Sequence, residues 1–410
     1  MLIRLIRRAN AVHPRLLHYA AATVLIGISG GIFETTLNNF LSDTFHITAV
    51  ARGRLEFPRE LPGFLTAVGA GALFFLPERL VASVAFAMVG IGMLGLGVFG
   101  QQWWRMLLFL VIWSSGLHLS MPVTGSLTMS LAPEEKRGRR LGQIGAVGRF
   151  GTIAGCLLVW YFLAGDRRDY LPTFAAGAAA AFVAALLVST LHGVGTEQPR
   201  PRLLLRRRYW LYYALEAFSG ARKQIFVTFG PWVLVKVFGE RPATFAKLWM
   251  VTSVLGLLFQ PGVGDLIDSL GERTILMGEG AVLFGLCVAY GYAERLIPAR
   301  RWALRLLYGC YVLDQLLFAV GMARTTYVSK IAASAADVAP TLSAGVSINH
   351  AISMSIPSLG GYVWDAYGYP WVFVGGAGLA LLGLMLAALV KTPPARSMNR
   401  QHLGSEEGRE

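Results

Sequence analysis

The stretch GVGTEQPRPRLLLRRRYW, Gly193–Trp210, is the longest polar connection in the chain and carries Arg200, Arg202, Arg206, Arg207 and Arg208. A membrane-spanning helix needs about 20 mostly apolar residues. Before the connection, runs of that kind lie near 17–41, 60–77, 80–99, 104–131, 139–163 and 170–193. After it they lie near 209–237, 243–263, 274–293, 303–327, 341–364 and 370–390. The expectation is an all-α integral membrane protein of twelve transmembrane helices in two six-helix halves. Residues 1–193 form the N-terminal half, 194–208 a cytoplasmic basic linker, 209–391 the C-terminal half and 392–410 a disordered polar tail.

Composition agrees with this. Of 410 residues, 55% are hydrophobic and only 15% charged, against about 25% charged in a soluble domain. The net charge of +14 does not point to nucleic acid, because the basic residues cluster in short loops beside apolar runs, as orientation in a membrane requires. The N-terminal MLIRLIRRANAVHPR alternates basic and apolar residues without a cleavage site and reads as an interfacial helix. Twelve spans put both termini on one side. Taking that side as cytoplasmic gives it about 20 Lys and Arg against about 13 outside. The segment ERLIPARRWALR, external with four arginines, opposes the trend. Cys156, Cys287 and Cys310 fall in apolar runs with no paired spacing, so they read as packing residues, with no metal or disulfide expected.

Function must come from polar residues at mid-depth. LGQIGAVGRFGTIAG, Leu141–Gly155, places Arg149 ten residues beyond Arg139, roughly 15 Å into a core roughly 30 Å thick. A cation there costs at least about 2.5 kcal/mol unless it meets a partner, a cavity or a ligand. Its glycines give a thin helix face. Arg149 is a candidate substrate anchor, the alternative being an ion pair with a neighbouring carboxylate. In YYALEAFSGARKQIFVTFGPW, Arg222 and Lys223 are adjacent and point about 100° apart, Glu216 shares a face with Lys223, and Gly230 and Pro231 bend the helix beyond them. In GGIFETTLNNFLSD, Glu34 and Asn38 share a face. Asp314 and Gln315 lie about nine residues from Arg305, and His118 and His350 (in SINHAISM) are also deep. Arg149, Arg222, Lys223, Asn38 and Gln315 are the candidate substrate-binding set. Glu34, Glu216, Asp314, His118 and His350 are candidates for coupling or ion pairing. A buried carboxylate can carry a proton, one held by arginine stays ionised, and a lone histidine is either a packing residue or a proton relay.

GDLIDSLGERTIL, Gly264–Leu276, has a glycine, an apolar residue, an aspartate, a glycine and an arginine in order. With LGGYVWDAYGYPWVFVGGAGLALL near the C-terminus, it resembles the major facilitator superfamily. Gly264, Leu266, Asp268, Gly271 and Arg273 match that family's loop signature, while Ser269 and Glu272 stand where basic residues are usual. The resemblance implies that Gly264, Asp268, Gly271 and Arg273 form a gating loop in which aspartate and arginine latch helix ends together. The corresponding first-half loop, FFLPERLVAS, lacks the signature and leaves only Glu78 and Arg79 for such a latch. RGRLEFPRELPGF, Arg52–Phe64, looks like a subfamily marker without an attached substrate.

The family resemblance implies alternating access about a midplane site and a functional monomer. The expected function is secondary transport of a small organic solute, anionic or zwitterionic because arginine matches carboxylate and phosphate, with protons as coupling ion. Efflux of amphipathic compounds is the alternative. A polytopic enzyme or a non-transporting receptor is a more distant one, since no HExxH, GxSxG, Cys/His spacing or P-loop is present. No cofactor and no nucleic-acid partner are expected; the location is the plasma (inner) membrane, multi-pass.

Overall fold

The computed structural model describes residues 14–68, 76–132, 137–164, 168–194 and 205–391. The expected interfacial N-terminal helix, most of the linker and the polar tail lie outside the described residues. Every regular element among the described residues is helical. The N-terminal helices are α1 (Pro14–Phe45), α2 (Ala49–Arg54), α3 (Glu56–Val68), α4 (Glu78–Phe99), α5 (Trp103–Ser130), α6 (Arg137–Phe162) and α7 (Leu171–Ser189). The C-terminal helices are α8 (Trp210–Gln224), α9 (Gly230–Lys236), α10 (Pro242–Leu296), α11 (Arg300–Leu317), α12 (Gly321–Ile331), α13 (Ala335–Tyr367) and α14 (Tyr369–Ala388).

Eight of the described helices are long and apolar enough to cross a membrane. The segments of the other expected spans are either merged with a neighbouring helix or carry charged and polar residues. The 55 residues of α10 are two helices joined at Gly271, whose φ of 80° and ψ of 160° break the helical path, a conformation glycine adopts without steric cost. The α2–α3 pair carries five charges, α8–α9 carries four, and α13 is rich in serine. Between α8 and α9 the chain makes a π-turn over Ile225–Phe229. The bend expected at Gly230 and Pro231 thus begins one turn earlier. Such turns often mark functional sites.

Buried apolar side chains form three clusters. Two are built from the N-terminal helices and one from residues after 210; Ala49 and Ala246 each pack into the other side's cluster. The two sets of helices meet where α2 and α3 lie on α13, α6 on the first part of α10, and α1 on α9 and α10.

The glycines beside Arg149 serve packing against α1. Gly151 faces the Val24 backbone and Gly155 the Ile28 backbone, while Gly27 and Gly31 of α1 face Gly148 and Thr152 in return. Small residues on both partners let membrane helices approach closely. A Cβ at Gly151 would lie 2.8 Å from the Val24 carbonyl carbon, whereas nothing lies within 4 Å of one at Gly142. Gly151→Leu should therefore destabilise the protein by about 1–3 kcal/mol through overpacking, read as a lower Tm in detergent. Gly142→Leu should leave the Tm unchanged; equal behaviour of the two variants would contradict the α1–α6 crossing.

Candidate solute and coupling site

The sequence reading started the second span near residue 60. In the structure the helical segment there begins at Ala49, with the Thr48 hydroxyl capping α2 by accepting from the Ala51 amide. RGRLEFPRELPGF is thus helical and sits inside the fold. Arg52, Glu56, Arg59 and Glu60 recur at three- and four-residue intervals, which brings them together on one helix face. Arg52 is 2% exposed and Glu56 0%. Glu56 takes both guanidinium groups, Arg52 on Oε1 and Arg59 on Oε2. Arg52 also donates from Nε to Asn38 Oδ1 at 2.9 Å, so Asn38 orients an arginine. Glu34 lies within electrostatic reach of Arg52, Glu56, Arg59 and Glu60. Buried charges persist when each is paired and hydrogen-bonded, and hydropathy counts them as interruptions, which is why the span start was misplaced.

Glu60 joins the N-terminal helices to the C-terminal ones. Its Oε1 accepts from Arg59 at 2.6 Å. Its Oε2 accepts from Lys223 Nζ of α8 at 3.2 Å and from His350 Nδ1 of α13 at 2.8 Å. Next to it, His118 of α5 packs edge-on against His350, ring centroids 4.9 Å apart. The His118 Nδ1–H donates to the Ser114 carbonyl at 2.9 Å, which leaves the Nε2 lone pair free. Gly63 lies directly under both imidazoles: a Cβ there would be 2.6 Å from ring carbons of each. The two histidines, expected as lone residues, are therefore a pair centred on a glutamate that sequence reading did not single out.

Ligand-capable atoms of Glu60, His118 and His350 lie within 4.8 Å of one another, a donor set known to suit divalent metals. Here Arg59 and the Lys223–His350 pair already occupy both Glu60 oxygens, which disfavours a dication. The cluster balances without one: Arg52, Arg59 and Lys223 face Glu34, Glu56 and Glu60.

A second network lies within the C-terminal helices. Arg222 is 4% exposed. It donates to Asp314 at 2.8 Å and to Glu279 at 3.3 Å, and its guanidinium stands 4.7 Å from the Phe318 ring centre. Arg324 donates to Glu279 at 3.0 Å, to Glu216 at 3.2 Å and to Ser219 at 2.8 Å. Asn349 closes the ring on Glu216. The expected proximity of Glu216 to Lys223 is replaced by these contacts: Glu216 turns to Arg324, and Lys223 turns to Glu60. The adjacent cations of α8 are divided between an internal ion-pair network and the junction.

Arg149 is half-buried and has no ion pair among the described residues. Its guanidinium lies over Gly256 of α10, where a Cβ would come within 2.7 Å of Nη1. It faces the C-terminal helices but belongs to neither network. Gln315 is half-buried beside Asp314. Of the loop residues, Gly264 is half-buried, Gly271 makes the break, and Asp268 and Arg273 are exposed. The ion pair formed there is Glu272–Lys330, at 2.6 Å. In the first-half loop, Glu78 accepts from Ser126 at 2.9 Å and Arg79 donates to the Ser189 carbonyl at 2.8 Å, tying α4 to α5 and α7. The end of the linker is held by Arg206 and Tyr209, which both reach Asp337 at the start of α13.

The family model described as Major Facilitator Superfamily matches residues 19–355. No curated protein matches the chain. Among solved structures, the nucleoside transporter NupG superposes with a TM-score of 0.73 at 14% identity, over 92% of this chain and 98% of that one. A D-xylose–proton symporter superposes with a TM-score of 0.66 at 15% identity, over 92% and 97%. The human organic anion transporter MFSD10 (TETRAN) gives 0.58 at 12% identity, over 92% and 100%. At such identities the likeness concerns the fold alone. With a family model covering most of its length, this multi-pass membrane chain belongs to the major facilitator superfamily of transporters.

Proposed function

We propose that the protein is a secondary transporter that carries a small anionic or zwitterionic organic solute across the plasma (inner) membrane by alternating access, coupled to protons. The observation that carries this reading is the Lys223–Glu60–His350 junction. It is charged, deep and built from helices on both sides of the linker, where a solute bound between two moving units must sit. Lys223 is its most accessible cation, with 21% of its side chain exposed, and Arg149 is a second cation, with no ion pair among the described residues. The junction is balanced, with three cations against three carboxylates. An entering anion adds an uncompensated charge unless a proton comes with it, and Glu60, His350 and His118 are placed to take that proton.

The organisation proposed is two six-helix halves, 1–193 and 209–391, with 194–208 as a cytoplasmic linker, both termini inside, and a monomer as the working unit. Burial of Arg52 and Arg59 supports that orientation. Neither then counts as an exposed outer charge, so the inner excess of basic residues grows.

Thermal stability of the purified protein against a metabolite library tests the reading. A ligand of the native state at 100 times its Kd stabilises by about 2.7 kcal/mol. Anions or zwitterions should raise the Tm of the wild type, and Lys223→Met and Arg149→Ala should each weaken or abolish the shift while remaining folded. Stabilisation by amphipathic cations alone, unaffected by either variant, would replace this reading with efflux.

A further inference from the structure

We propose that the Glu60 carboxylate is a tethered stand-in for the solute's own carboxylate: it occupies the anion site in the unloaded protein, and the solute displaces it. This rests on the anionic-solute reading above. The two Glu60 oxygens have different partners. Oε1 is held by Arg59, its neighbour on the same helix, at 2.6 Å. Oε2 is held only by groups across the junction, Lys223 at 3.2 Å and His350 at 2.8 Å. Oε2 can therefore be released without losing the local pair. Lys223 and His350 converge on a single carboxylate oxygen from two different helices, α8 and α13, which is the donor arrangement a free carboxylate would need. Lys223 has a flexible stem and rotatable donors and is partly open to solvent. Arg222, one residue earlier, is held through its two terminal nitrogens by Asp314 and Glu279 of its own set of helices and does not reach the junction carboxylate.

The exchange couples binding to motion. While Glu60 fills the site, α3 is tied to α8 and α13, and the two sets of helices are held together. When a solute carboxylate takes Lys223 and His350, that tie is cut, and the solute itself replaces it. The displaced Glu60 keeps Arg59, yet the junction now holds one negative charge in excess. A proton restores the balance, taken by Glu60 or by the imidazole pair. The charged groups facing this exchange are Glu34 from α1, Arg52 from α2, Arg59 and Glu56 from α3, His118 from α5, Lys223 from α8 and His350 from α13. The class of solute follows: one carboxylate group small enough to stand where a glutamate side chain stands now.

Thermal-shift titrations with acetate, lactate, succinate, citrate and glutamate at fixed pH test the idea on the full-length protein. Variants are Glu60→Gln, Lys223→Met and the two combined. Glu60→Gln removes the internal competitor, so the half-maximal concentration of the best carboxylate should fall by about tenfold or more, and adding Lys223→Met should abolish the gain. If Lys223→Met abolishes the wild-type response but Glu60→Gln leaves the half-maximal concentration unchanged or raises it, the stand-in is wrong and the anionic-solute reading survives. If no carboxylate shifts either the wild type or Glu60→Gln, both fail. Should Glu60→Gln not fold, Glu60→Asp draws the carboxylate back from Lys223 by one methylene while keeping its charge. It should lower the half-maximal concentration, and an unchanged value overturns the proposal.

Discussion

Replacing Glu56 by alanine is expected to destabilise the protein by about 3–5 kcal/mol. Glu56 is fully buried and is the acceptor for two guanidinium groups at once. Without it, among the described residues, the side chain of Arg52 retains Asn38 and that of Arg59 retains Glu60. Both would hold a full positive charge in a membrane interior with less than the compensation they had, and an unpaired buried charge is far more costly than a lost neutral hydrogen bond. Glu56→Gln keeps an acceptor oxygen but loses the charge, and should fall between alanine and wild type. The measurement is the Tm of the three proteins in one detergent, supported by urea-free recovery of monodisperse protein. A loss below about 1 kcal/mol in Glu56→Ala would mean that water reaches both arginines, and the α2–α3 cluster would then be a solvated surface of the cavity.

The same cluster shows where sequence reading stops. Most spans could be placed because long apolar runs have few explanations other than a membrane. The second span was displaced because RGRLEFPRELPGF carries arginine and glutamate at three- and four-residue intervals. Read as hydropathy it is a loop; read as periodicity it is one face of a helix whose charges neutralise one another. That alternation of sign was the available signal. Glu60 had no such signal for its longer reach. Its partners lie 163 and 290 residues away, and no local pattern encodes which distant cation a carboxylate meets. Depth counting gave Arg149, Arg222, Lys223, Asp314 and the histidines as a list of deep polar residues, of which Arg222, Asp314, His118 and His350 are buried in the fold. It said nothing of pairing: Arg222 and Lys223 are neighbours in sequence and join different networks because successive helical residues point about 100° apart. The glycines around Arg149 were visible as a thin face, but whether that face served a ligand or a helix was settled only by α1 lying against it.

These networks divide stability from exchange, and Glu279→Ala separates the two. Glu279 is buried between Arg222 and Arg324 and accepts from both. Its removal leaves two arginines partly unpaired in the interior, with an expected loss of about 3–5 kcal/mol. Arg222 would keep Asp314, and Arg324 would keep Glu216 and Ser219, so the helices can still assemble at low temperature. Every group in this network belongs to the C-terminal helices, so its pairs do not have to break when the two units separate. Residual folded Glu279→Ala, or the milder Glu279→Gln, should therefore respond to carboxylates at a half-maximal concentration within about twofold of wild type, with only the starting Tm lowered. Lys223→Met should do the reverse, changing the Tm little and removing the response. The contrast follows from position: Arg222 is paired with two carboxylates of the C-terminal helices, whereas Lys223 holds a carboxylate that has to move. If instead Glu279→Gln abolishes the carboxylate response at unchanged Tm, the anion site lies at Arg222 and the junction at Glu60 is a static ion pair.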